Sequence, residues 1–285
     1  MSLIQIGLVD MTGKINADLM QSVAAALNVQ VTRDLPQFWP IQATVRYLPD
    51  ATKVPVGVWP VQLVKQLPPG EGGFHTNKHN QPFAKVIASP DSDEWTIDAS
   101  HETLEMLVDP SGNKLQSSHS IEIVGSKIKD GTGEFEYLVE ACDPCKADKY
   151  AYPIQGVAVS DFITPHFYNP VVTPGTRYSF TGAITAPRQI LPGGYISFVN
   201  VEADEVQQIL FVDPDSPPRL NNLGSPAGLG LSLRQWVDGH THEAATQKRR
   251  SNTALVKHCQ ERRQKLEEFA RARVKFYPLH PAGKG

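Results

Sequence analysis

Ser100-His101-Glu102-Thr103-Leu104-Glu105-Met106-Leu107-Val108-Asp109-Pro110 decides the reading of this chain. Leu104, Leu107 and Val108 recur at helical spacing and give the stretch an apolar face. Ser100 is a good N-cap, and Pro110 marks the end, because proline cannot continue the hydrogen-bond ladder. His101 and Glu105 are four residues apart and project from one face, a turn from each other. An imidazole nitrogen and a carboxylate oxygen so placed can reach one metal ion. Glu102 lies about 100° further round the helix, beside such an ion rather than on it. A carboxylate there can take a proton from metal-bound water.

Upstream, residues 3–9 alternate as a strand and residues 16–27 carry Leu19, Val23, Ala26 and Leu27 at helical spacing. Residues 29–32 and 43–48 read as strands, and residues 54–67 as one or two short ones. Residues 68–80 hold Pro68, Pro69, Gly70, Gly72 and Gly73 and read as a loop, with His75 and His79 as solvated loop histidines. Residues 81–88 read as a strand, and Pro82 near its start argues for a sheet edge. Residues 91–98 form an acidic connection into the helix.

Downstream, residues 121–124 and 135–139 read as paired strands, with Lys129-Asp130-Gly131-Thr132-Gly133 as their turn. The second strand runs into Glu140-Ala141-Cys142-Asp143-Pro144-Cys145. Short alternating runs at 177–184, 194–201 and 207–212 suggest a small antiparallel sheet. Residues 213–230 read as a Pro/Gly/Asn-rich linker. Residues 231–277 are helical in pattern, with a His240-x-His242 pair read as a solvated turn.

The central helix has the geometry of the His-Glu-x-x-His zinc-protease helix, with glutamate in place of the second histidine. His101, Glu102, Glu105, Asp109 and Pro110 together resemble zincin-like, metallopeptidase-type proteins that carry His-Glu-x-x-Glu followed by Asp-Pro. The same group has a downstream Glu-x-x-Asp-x-Cys element, matched here by Glu140, Asp143 and Cys145. The resemblance spans roughly residues 3–170, including Val159-Ser160-Asp161-Phe162. It implies an α+β fold, a zincin-like mixed sheet with an active-site helix; beyond residue 170 the residue patterns themselves add a small β-rich region and a C-terminal basic helix. The domains expected are a metal-binding domain over 1–170, a β-rich insertion or subdomain and linker over 171–230, and a basic helical arm over 231–285. The resemblance also implies an edge strand ahead of the helix that aligns a substrate backbone, since a free edge can recruit an extended peptide.

A catalytic zinc takes three protein ligands plus water. His101 and Glu105 supply two. Asp109 lies about 12 Å along the helix from His101 and reaches the ion only if the chain turns back at Pro110. Asp143 is the favoured third ligand, with Glu140 and Asp109 as rivals or as groups orienting His101. Glu102 is the expected general base. Tyr150, Tyr152 and His166 are candidate donors to a developing oxyanion. One histidine with several carboxylates also suits calcium, iron or manganese.

The 285 residues are 40% apolar and 20% charged, as in a soluble globular protein. No apolar run reaches membrane-spanning length and no signal-peptide pattern opens the chain, so a cytoplasmic location is expected. Three cysteines make no disulfide framework, and Cys142 and Cys145 read as structural rather than as a redox pair. The net charge of −3 hides an asymmetry: residues 244–275 carry ten basic and three acidic side chains, so that segment is +7 and the remainder −10. The basic segment lacks the interleaved aromatics of a nucleic-acid binder, so a packing arm or a protein-binding tail is expected. The expected activity is a zinc-dependent peptidase acting on a peptide or protein substrate. The alternative is a non-catalytic binding or assembly protein with a structural metal on the same fold.

Overall fold

The computed structural model describes residues 3–68, 72–226, 230–241 and 253–276. It is a mixed α/β fold built on two five-stranded sheets. The first sheet takes β1 (Ile4–Asp10), β2 (Ala43–Leu48), β3 (Val58–Val64), β4 (Gly73–Lys78) and β5 (Gln81–Ile87) in the order β2-β1-β3-β5-β4. All its pairings are parallel except β4 with β5. Helix α1 (Ala17–Val29) links β1 to β2, and α2 (Trp95–Val108) follows β5. Both helices pack on the small hairpin of β8 (Tyr152–Ile154) and β9 (Val157–Val159). One core runs through these elements, from Ile6 and Leu8 through Leu27, Leu63 and Leu104 to Val159 and Phe162.

Several expected boundaries move, each for a physical reason. Asn16 caps α1 as its position suggests, accepting from the Asp18 amide at 2.8 Å. Residues 29–32, expected as a strand, instead continue the helix through a π-helical turn over Gln30–Asp34. Tertiary bonds override the β-branched residues there. Gln30 is buried and donates to the Ser160 carbonyl at 3.0 Å, while its amide oxygen accepts from Ser100 Oγ at 2.7 Å.

Helix α2 starts at Trp95, one and a half turns before the expected cap, and absorbs the second half of the expected acidic connection. Ser100 is therefore an interior residue, and its hydroxyl also accepts from the Ser160 amide at 2.9 Å. The helix is buried on every side, so its polar teeth must be satisfied inside the protein. It ends at Val108, ahead of Pro110.

The expected loop over 68–80 contains strand β4, and this moves the sheet edge. β5 lies between β3 and β4, so β4 is the edge strand. His79 and Asn80 both have positive φ, 53° and 60°, forming a tight two-residue hairpin. Pro82 is tolerated in β5 because it sits at the hairpin mouth, before β3 pairing begins at Ala84.

The second sheet is antiparallel: β6 (Leu115–Val124), β7 (Lys127–Leu138), β10 (Gly194–Asn200), β11 (Glu205–Phe211) and β12 (Arg219–Gly224), in the order β12-β11-β10-β7-β6. Residues 129–133 are not the turn; the chain reverses at Gly125, and those residues belong to β7 opposite a register shift at His119/Ile121. Gly131 permits the bulge, since a Cβ there would lie 2.5 Å from Ser120 Oγ. Strand β12 falls inside the expected linker, and residues 177–184 form no regular strand. Through β7 and β10, residues on either side of position 170 share one sheet.

Two helices close the described chain, α3 (Leu233–His240) and α4 (Thr253–Phe276). The basic α4 buries Val256 and Cys259, with Cys259 packed beside Ile97 and Ala158, and Arg263 pairs with Asp93 at 2.5 Å. No helix among the described residues is long and apolar enough to cross a membrane.

Candidate metal centre

The first two turns of α2 beyond Ala99 carry His101, Glu102 and Glu105, all buried. Glu105 is the hub. Its Oε1 accepts from the Cys142 amide at 3.0 Å, which fixes the carboxylate. Its Oε2 lies 3.3 Å from His101 Nε2, 3.6 Å from His75 Nδ1 and 3.0 Å from Arg234 Nη1. The i, i+4 spacing thus brings His101 and Glu105 together as the sequence implies.

Asp143 comes from the short 3-10 turn Asp143–Cys145 after β7. Its Oδ1 is 3.4 Å from His101 Nε2. Gly194 makes room for that turn: a Cβ there would meet the Asp143 and Pro144 carbonyl oxygens at 2.7 and 2.6 Å. Glu140 enters beside it, with Oε1 2.5 Å from Arg234 Nη1.

Asp109 does not join the cluster. Its Oδ1 accepts from the Ser111 amide and hydroxyl, and its Oδ2 from the Lys114 amide at 2.8 Å. It organises the turn after α2, so the expectation that it ligates an ion or orients His101 is corrected. The three suggested oxyanion donors also lie elsewhere. Tyr152 donates to Asp34 at 2.9 Å, Tyr150 lies under the Lys149 ammonium, and His166 is exposed beside Asn169.

His75, read as a solvated loop histidine, is buried, with only 2% exposed. Strand β4 turns it inward, and its Nδ1 lies 3.3 Å from Glu102 Oε2. The alternation Phe74-His75-Thr76 held the signal, but the surrounding glycines masked it. His79, at the hairpin tip, is exposed as expected. Gly73 allows Glu102 to approach β4, since a Cβ there would lie 3.0 Å from Glu102 Cγ and Oε1. His240 bonds the Trp236 carbonyl at 2.7 Å, and its suggested partner His242 lies outside the described residues.

No sequence signal near Arg234 points to the cluster. Arg234 reaches it from α3, with Nη1 at 3.3 Å from Asp143 Oδ2 in addition to its Glu105 and Glu140 contacts. Its Nε pairs with Asp238 one turn on, at 3.0 Å. Only the Ser232-x-x-Gln235 capping box announces that helix, and nothing local announces its destination.

The electrostatics follow from these contacts. Burial opposes charge on His101, but Glu105 and Asp143 outweigh it and hold its pKa well above the ordinary value. Burial also opposes charge on Asp143, yet Arg234 and His101 hold its pKa well below the ordinary value. Glu105 is drawn down by His101 and Arg234 against burial and the Asp143 charge. Glu140 goes the other way: burial pushes it well up despite Arg234. Burial likewise raises Cys142 and Cys145, which are unpaired thiols, in keeping with a structural reading of the C-x-x-C pair.

A depressed carboxylate stabilises the fold above its unfolded pKa and loses that contribution as pH falls through its folded value. Asp143→Asn should therefore cost stability at neutral pH, and the difference from wild type should shrink once pH falls below 3.8, the ordinary value. Urea unfolding of both proteins at neutral and acid pH checks this.

Among the described residues, three groups of donors could hold an ion, each with atoms within 4.8 Å of one another: His101, Glu105 and Cys142; His75, Glu102 and Glu105; and Glu105, Glu140 and Asp143. Imidazole and carboxylate donors fit zinc, iron or manganese. Two buried atoms here, His75 Nε2 and Glu140 Oε2, have no hydrogen-bond partner among the described residues. Such atoms carry a cost that a ligand would offset. No family model, no curated protein and no solved structure matches the chain.

Proposed function

We propose that this chain is a zincin-like metallohydrolase, specifically a peptidase, with its ion in the imidazole–carboxylate cluster around Glu105. The observation that carries the reading is the meeting of His101, Glu105 and Asp143 from two distant segments within 3.4 Å contacts, with Glu102 beside them. A divalent ion held there would supply Lewis acidity to a substrate carbonyl.

The chain's own residues would do the rest. Glu102 is the proton-holding group, and His75 orients its carboxylate through the 3.3 Å contact. Asp143 holds the His101 ring in place. β4 is the terminal strand of its sheet, which supports alignment of an extended peptide along it. Elemental analysis of protein purified without added metal or a histidine tag tests the reading. Near-stoichiometric zinc in the wild type should be lost in His101→Ala and in Glu105→Ala. Metal retained in both variants would remove the ion from this cluster.

A non-catalytic binding protein on the same framework is the second reading. The observation favouring it is Arg234, whose guanidinium already engages three of the cluster's carboxylates.

A further inference from the structure

We infer that Arg234 is an internal cation that competes with a divalent ion for the Glu105 cluster, so that α3 is a lock on the site. The inference rests on the metal reading above and adds its control.

The contact is that of a cation inside an anion cluster. A guanidinium NH2 carries two hydrogens. Three carboxylate oxygens, from Glu105, Glu140 and Asp143, lie within 3.3 Å of the single atom Nη1. Nη1 donates to all three acceptors, so with two hydrogens at least one bond is bifurcated, and the attraction of a cation for a ring of carboxylates adds to these bonds. A divalent ion suits such a ring of oxygens better, since it takes several ligands at once. Arg234 and an ion would also share Glu105 Oε2, and two cations at one oxygen repel each other.

The fold presents this cation on a separate element with its own dock. Arg234 donates its amide to the Gly112 carbonyl at 2.9 Å, and Leu233 donates its amide to Asn113 Oδ1 at 2.8 Å. Gly112 has φ +66°, and a Cβ there would lie 2.9 Å from both Arg234 Cβ and Ser232 Oγ. The turn that ends α2 is thus shaped to receive α3. On its other side Val237 packs into a small cluster with Leu138, Val206 and Leu223, apart from the main core. An eight-residue helix does not hold itself together in water. Its order depends on this dock, and releasing the dock withdraws the guanidinium.

The test uses the full chain and zinc chloride. Calorimetric titration compares wild type, Arg234→Ala, Arg234→Lys and Asn113→Ala, with His101→Ala to subtract zinc bound elsewhere. Hydrogen exchange is read on amides 233–240. A lock lowers apparent affinity by the fraction of molecules that are open. Arg234→Ala should bind about tenfold tighter than wild type or more. Asn113→Ala, which touches no cluster residue, should shift the same way. Arg234→Lys should fall between, since lysine keeps the charge but not the planar fork. Zinc added to the wild type should speed exchange across 233–240.

Equal zinc affinity in all four proteins, with exchange over 233–240 unchanged, would overturn the lock and leave the metal site standing. Absence of zinc binding in every variant would overturn the metal reading and the lock with it. Should Arg234→Ala fail to fold, Arg234→Lys and Asn113→Ala carry the comparison.

Discussion

Without metal, Arg234→Met should be less stable than wild type by about 3–5 kcal/mol, the usual cost of removing one partner from a buried charge cluster. Arg234 is 4% exposed, and Glu105, Glu140 and Asp143 are each 5% exposed or less. Removing the guanidinium leaves these carboxylates facing one another in a poorly solvated site. Methionine fills much of the volume, so the loss reports charge rather than a cavity. Glu140 softens the effect, because burial already favours its protonated form.

A divalent ion should restore much of the lost stability, and more as its concentration rises above the dissociation constant. Urea unfolding in a chelator and then in excess zinc measures both parts. A chelated variant within about 1 kcal/mol of wild type would mean that the carboxylates do not need the arginine, since exposed pairs are worth no more than that.

Glu102→Gln should lower peptide turnover by about 10²- to 10⁴-fold, the range for loss of a general acid–base group, while metal content stays unchanged. The substitution keeps shape and removes the group that can hold the proton. Glu102 fits that role because its carboxylate points toward the edge strand, against His75, and not toward Asp143. The assay belongs in the Asn113→Ala background, where α3 is expected to release the site, with a peptide library and elemental analysis on the same preparation. Loss of metal together with turnover would assign Glu102 as a ligand in the His75–Glu102–Glu105 group. Full turnover by a metal-loaded Glu102→Gln protein would remove it from the chemistry.

Much of the candidate site was legible because it is local. His101 and Glu105 meet through the pitch of one helix, and helical pitch is a property of the backbone. Asp143 was reachable as a second motif, yet its contact with His101 depends on where β7 ends and on Gly194 leaving room for the turn. Asp109 shows the reverse. Its place after the helix suggested a ligand, but the Ser111 and Lys114 amides and the Ser111 hydroxyl engage both of its carboxylate oxygens.

His75 and Arg234 were hidden for different reasons. Glycines and a hairpin tip made β4 resemble a loop, although pairing with β5 makes it a strand and turns His75 inward. Arg234 stands 129 residues from Glu105, and no periodicity encodes so distant a contact.

By itself the sequence determined the two ends of the α1–β2 unit, the helical presentation of His101, Glu102 and Glu105, and the existence of the Glu140–Cys145 element. Hydrophobic period, caps and proline act within a few residues, so they can be read in order along the chain. Only the tertiary structure decided that β4 is the edge, that Asp109 serves a turn, and that Arg234 enters the carboxylate cluster. Those outcomes depend on strand order, burial and charge compensation between distant segments, which are properties of the packed molecule.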